Sequence, residues 1–138
     1  GGMMLQYPFY GGIMGIMSGT GLADSISKAF VVVSSAHTLP FWSYICSLII
    51  TFFVPSGGGH WAVQGPFVVP AAVTLHASMA GSTMAVAFGE QVANMLQPFW
   101  ALPVVAMAGI GIQRVMGYTV VTFVVTGLIY ALALLVLV

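Results

Sequence analysis

Charge is scarce in this chain. Two acids and two bases, Asp24, Glu90, Lys28 and Arg114, make up 3% of its 138 residues, against roughly 25% in soluble domains. No basic patch is present to neutralise phosphates, which excludes nucleic acid as a partner. The formal net charge of zero gives no basis for electrostatic attachment to an anionic membrane surface. Cysteine is nearly absent as well. Cys46 stands alone, which excludes an intrachain disulfide and a cysteine-built metal site and leaves the reading of a buried structural thiol. The opening GGMMLQYPFY lacks both the charged n-region and the cleavage motif of a signal peptide, and the chain is expected to be a fragment of a longer membrane protein. In place of charge there is apolar surface: 60% of residues are hydrophobic and the mean hydropathy is +1.11. An integral membrane protein is the class that fits.

Taken in order, residues 3–23 form an apolar stretch rich in Gly and Met. Its length matches a transmembrane helix at about 1.5 Å per residue. Gly11, Gly15 and Gly19 set a small-residue register that predicts a helix-packing face. Residues 24–40 are the most polar segment and predict an interfacial helix and a turn, with Asp24 and Lys28 spaced as an exposed i,i+4 pair. His37 lies in that turn as a solvated residue.

Residues 41–75 hold two short apolar arms around Pro55-Ser56-Gly57-Gly58-Gly59-His60. The first arm is too short to cross a bilayer of roughly 30 Å, so the segment predicts a re-entrant helical hairpin with the glycines at its tip. Pro66 and Pro70 interrupt the second arm. Residues 77–111 carry Glu90, Gln91 and Asn94, then Gln97-Pro98. They predict a discontinuous transmembrane helix, unwound around residues 94–98 because proline removes a helix hydrogen bond. Glu90, Asn94 and Gln97 share one face up to the break. A short polar loop from Gln113 to Gly117 is expected next, and then a transmembrane helix over 118–138, where Tyr118 is an interface anchor. The hydroxyls of Thr119, Thr122 and Thr126 can bond back to their own helix. The fold class is therefore all-α integral membrane, with a re-entrant hairpin and a discontinuous helix.

Irregular backbone is tolerated at membrane depth only where it is buried in protein or lines a wet cavity. Two such breaks in one short fragment point to the plan of inverted-repeat secondary transporters, whose half-helix ends face substrate and coupling ion. Ser56, the backbone N–H groups of Gly57, Gly58 and Gly59, His60 and Gln64 line the first break. The helix N-terminus that starts there favours an anion. Glu90, Asn94 and Gln97 line the second. Glu90 is the one acid deep in an apolar span, and such acids face the bundle interior. Each residue also has a plainer reading. His60 can simply bond a backbone carbonyl, the amides can satisfy the broken backbone, and Trp61, Phe99 and Trp100 serve as packing as readily as pocket wall.

Three stretches, FFVPSGGGHWAVQGP (Phe52–Pro66), QYPFYGGIMG (Gln6–Gly15) and GEQVANMLQPFWALP (Gly89–Pro103), resemble the bacterial short-chain fatty acid transporters, within the wider ion-transporter superfamily. The resemblance covers nearly the whole chain and is similar to the C-terminal repeat of a longer carrier, one half of an inverted-repeat architecture. Family members commonly have Gln at the place of His60 and Asp at that of Glu90. The resemblance implies ion-coupled secondary transport of short-chain carboxylates such as butyrate or acetoacetate across the bacterial inner membrane, by a multi-pass protein that is not an enzyme. It implies no cofactor beyond a coupling Na+ or H+, with Na+ at the hairpin tip and helix break. The implied partners are the carboxylate, the lipid bilayer, the remaining N-terminal repeat and a second copy in a homodimer. Two other classes stand beside it. One is a membrane-embedded hydrolase with Ser56 as nucleophile and His60 as base, though no orienting acid and no G-x-S-x-G motif is present. The other is a channel or structural membrane subunit.

Overall fold

The helix ends lie where the sequence removes a backbone donor, supplies a cap or turns left-handed. The computed structural model describes residues 8–9, 11–12, 15–16, 19–54, 56–97 and 101–137, and among them every regular element is helical. Helix α1 (Leu22–Val33) begins behind Gly21. Helix α2 (Leu39–Thr51) follows a turn in which the Ser35 N–H donates to Thr38 Oγ1 at 2.8 Å. Pro40 lies in its first turn, where a missing N–H costs nothing. Helix α3 (Gly57–Thr74) starts behind the extended Ser56. Helix α4 (Met79–Asn94) is capped by Ser78, whose hydroxyl accepts from the Gly81 N–H at 3.0 Å, replacing one of the first turn's missing acceptors. A short α5 (Leu102–Ala108) ends on Gly109 at φ +64°, and α6 (Ile112–Leu137) completes the chain order.

Several of these boundaries differ from the sequence reading. The three glycines expected at the hairpin tip form the first turn of α3, which begins directly after Ser56. First-turn N–H groups lack intrahelical acceptors anyway, and three glycines can occupy that turn without disturbing a ladder. Pro66 and Pro70 sit inside α3 without ending it. The polar loop expected at Gln113–Gly117 is instead the opening of α6. The connection lies at residues 109–111, where the left-handed Gly109 closes α5 and no residue from Ile112 to Met116 breaks a helix. The second interruption begins at Met95, and its Pro98, Phe99 and Trp100 lie outside the described residues, as do parts of the span expected over 3–23.

Helices α2 and α4 make the closest pair. Ser43, Ser47 and Thr51 form a fully buried stripe on α2, spaced i, i+4, i+8 on one face. Against it α4 turns Gly81, Ser82, Ala85 and Gly89, all buried. A Cβ built on Gly89 would lie 2.5 Å from Ser47 Cβ and 2.7 Å from the Tyr44 carbonyl oxygen, so only glycine permits this approach. Small residues bring membrane helices together in this way. The register expected to do so, Gly11, Gly15 and Gly19, has no atom of the described residues within 4 Å of a built Cβ.

Helix α1 lies over α3 through Phe30 and Phe67, ring centroids 5.5 Å apart, in a cluster with Val68, Val86, Ile50 and Cys46. Helix α6 crosses α2 and α4. There the Tyr44 hydroxyl donates to the Gly127 carbonyl at 3.1 Å, and Phe88 stacks on Tyr130 at 4.5 Å. Leu134 is buried beside Tyr44 and Ala85, and much of the rest of α6 is exposed. With 26 residues, and a mean hydropathy of 2.7 over an 18-residue stretch of them, it is, among the described residues, the one helix long and apolar enough to cross a membrane.

Candidate functional site

The break between α2 and α3 puts His60 one turn into α3, fully buried against α2. Its partners fix one another. The Gln64 Nε2 donates to the Ser43 carbonyl at 2.8 Å, which orients the amide so that Oε1 meets His60 Nε2 at 2.6 Å. Ser47 Oγ donates to the Val86 carbonyl at 2.7 Å and lies 2.9 Å from the same Nε2. Thr51 Oγ1 donates to the Ser47 carbonyl at 2.7 Å and faces His60 Nδ1 at 3.2 Å. Both ring nitrogens are thus engaged by α2 and Gln64, and neither by Ser56. A nucleophile–base pair needs its own hydrogen bond, so the Ser56/His60 hydrolase lacks its central contact.

Above this network lies a cleft of about 360 Å³ between the start of α3 and α4, lined by Gly57, His60, Trp61, Thr83, Val86, Ala87 and Glu90. The volume is at the small end of ligand pockets. At the α3 end, Gly57 and Gly58 are exposed, and nothing lies within 4 Å of a Cβ built on either. Ser56 is half-buried and its hydroxyl makes no capping bond to the helix. The first-turn N–H groups are therefore left without a side-chain cap at the positive end of the helix dipole, which suits an anion. Trp61, Val86 and Ala87 make the wall apolar. Glu90 supplies a carboxyl from α4.

The remaining expected residues are not among those that line the cleft. Gly59 and Gln64 are buried in α3, Gln64 as the floor beneath His60. Asn94 is half-buried at the end of α4. Gln97, just past that helix, is buried and donates to the Thr51 carbonyl at 2.5 Å. This bond ties the break after α4 to the break after α2. Gln97 Oε1 is buried and has no hydrogen-bond partner among the described residues. Among the described residues no group of three or more His, Cys, Asp or Glu is placed to hold a metal ion. Ser47, Thr51 and Thr83 were not anticipated. The signal was the four-residue spacing of Ser43, Ser47 and Thr51 in an otherwise apolar run, a polar stripe on one helix face.

A family model described as "Short chain fatty acid transporter" matches residues 1–137. A protein of Escherichia coli (strain K12) named "Putative short-chain fatty acid transporter" is 47% identical over 133 residues, covering 96% of this chain. One of the same name from Haemophilus influenzae (strain ATCC 51907 / DSM 11121 / KW20 / Rd) is 44% identical over the same share. The chain spans 30% of the length of each. No solved structure matches it.

Proposed function

The chain belongs to the short-chain fatty acid transporter family, and from that premise we propose that it forms part of an ion-coupled secondary carrier of short-chain carboxylates of the butyrate or acetoacetate type. The observation that carries the reading is the cleft, where the uncapped N-terminus of α3 offers backbone N–H groups to a carboxylate head and Trp61, Val86 and Ala87 offer an apolar wall to a short acyl chain. An anion entering there meets Glu90. Two carboxylates in one low-dielectric cleft repel strongly, and a proton or Na+ bound at the same junction relieves that repulsion. Anion entry and cation entry are thereby linked.

In this reading α2 and α3 are the arms of a re-entrant hairpin in the inner membrane of a multi-pass protein. The N-terminal repeat of the same protein completes the site, and two copies form a homodimer. Membership in a transporter family argues against the hydrolase, as does the engagement of both His60 nitrogens away from Ser56. The test is uptake by proteoliposomes containing the intact protein. Uptake should saturate with carboxylate and respond to an imposed Na+ or H+ gradient, and a flux that does neither indicates a channel. Ser56→Ala and Asn94→Ala should each impair uptake while membrane insertion is unchanged. Normal transport by both variants sinks the site assignment.

A further inference from the structure

We infer that the coupling ion is the proton and that His60 is its binding site, with the Thr51 hydroxyl as the switch that accommodates it. This rests on the carrier reading above and names the ion that the reading leaves open.

The argument is a count of hydrogens. Gln64 Oε1 can only accept, and its orientation is set by the amide's bond to the Ser43 carbonyl. His60 Nε2 therefore carries a hydrogen at all times. Ser47 Oγ has given its own hydrogen to the Val86 carbonyl and is a second acceptor for the same N–H. The other nitrogen is different. Nδ1 faces Thr51 Oγ1, whose single hydrogen points at the Ser47 carbonyl in the observed arrangement. With a second proton on the ring, Nδ1–H donates to Thr51 Oγ1 and every group has a partner. With a neutral ring, the Thr51 hydroxyl swings from the Ser47 carbonyl to donate to Nδ1, and the ring is satisfied again. One hydroxyl rotation separates the two states, and the imidazole is left with no stranded nitrogen in either. Here one partner can reverse its role.

The surroundings fit a cation that comes and goes. Thr51 is the last residue of α2, so Nδ1 faces the negative end of that helix dipole. His60 also borders the cleft, which gives a proton a path. The charged and titratable groups on the elements packed around it are few. Helix α4 contributes Glu90, on the same cleft. Helix α2 contributes Tyr44, whose hydroxyl is bonded to Gly127, and Cys46, packed in the Phe67 cluster. Helix α1 carries Asp24 and Lys28, and α6 carries Arg114, all exposed. Glu90 is the one acid that shares the cleft with His60. A proton on Nδ1 gives the cleft the positive charge that a second carboxylate requires, and its release on the far side discharges the anion.

The experiment is nitrogen NMR of the intact protein in nanodiscs with 15N-labelled histidine, the His60 signals being assigned by their loss in His60→Gln. Across an acid-to-neutral pH series His60 should pass between a ring with one N–H and a ring with two, and saturating acetoacetate should extend the two-proton form toward neutral pH. Thr51→Val, which removes the acceptor, should diminish that form. A His60 ring with one N–H throughout, with and without acetoacetate, overturns the inference. In proteoliposomes the ratio of uptake with a proton gradient to uptake without one should exceed unity for the native protein and fall to unity for His60→Gln. An undiminished ratio in that variant, or native uptake that follows only sodium, also overturns it while leaving the carrier intact. Absence of saturable uptake instead removes the carrier reading, and with it the coupling role.

Discussion

Gly89→Ala puts the helix pairing beneath the site to a quantitative test. The added methyl would sit 2.5 Å from Ser47 Cβ, 2.7 Å from Ser47 Oγ and 2.7 Å from the Tyr44 carbonyl oxygen. Carbon atoms in ordinary contact are about 3.5–4.0 Å apart, so α2 and α4 must part by about 1 Å. No rotamer absorbs the clash, because the obstructing atoms are backbone or the first atoms of a side chain. Overpacking of this kind costs about 1–3 kcal/mol. The same displacement stretches the Ser47 bond to the Val86 carbonyl, now 2.7 Å, at a further cost of about 0.5–1.5 kcal/mol. Alanine's better helix propensity returns about 0.5–1 kcal/mol. The net loss is about 2 kcal/mol. The control is Gly127→Ala, where a Cβ meets Tyr44 Oη at 3.6 Å and Val92 Cγ1 at 3.7 Å, ordinary contacts that leave stability within about 0.5 kcal/mol. Thermal unfolding of the intact protein in detergent should show a lowered midpoint for the first variant alone. Equal midpoints for the two would refute the close approach of α2 and α4.

Two further outcomes follow from single positions. Gly58 is exposed with open space around a built Cβ, so Gly58→Leu should leave the unfolding midpoint unchanged while cutting uptake by about tenfold, because it masks the helix N-terminus offered to the anion. Gly15 is equally open, and Gly15→Leu should transport like the native protein; equal losses in the two variants count against the site. His76 holds φ +53° where Ala77 reaches back to the Ala72 carbonyl at 2.9 Å, a position that favours glycine. His76→Gly should therefore stabilise the protein by about 1 kcal/mol in the same unfolding assay, and a lowered midpoint shows that the side chain contributes something else.

The parts legible in the sequence were those written in backbone chemistry. The turn expected to end at Pro40 leads into α2. The long Val- and Leu-rich run became α6. Side-chain geometry was harder to read. The triple glycine looks like a loop because glycine is a loop residue on average, yet the first turn of a helix asks little of it. Gln113–Gly117 looked like a loop because it is polar, but polarity does not stop a helix; the left-handed Gly109 does. Gly89 could not be distinguished in advance from Gly11, Gly15 or Gly19, because close approach depends on which face meets which neighbour. Among the candidate residues, His60 and Glu90 stood out as rare ionisable groups in apolar sequence. Ser47 and Thr51 looked ordinary, since a hydroxyl bonded to its own helix requires no partner elsewhere. Their role emerges only once α3 brings His60 beside them.

Pro66 and Pro70 remove two consecutive rungs from the hydrogen-bond ladder of α3 on one side, since neither nitrogen can donate to the carbonyl four residues back. Bending the helix there breaks two fewer bonds than bending it elsewhere. The portion beyond the prolines is wedged by Ala71 and Ala72 against Leu39, whereas the portion before them meets α2 through the hydrogen bonds of His60 and Gln64 and carries Val63 into the cluster shared with Cys46 and Ile50. The helix is thus a packed anchor joined, where its ladder is thinned, to a segment that ends at the cleft.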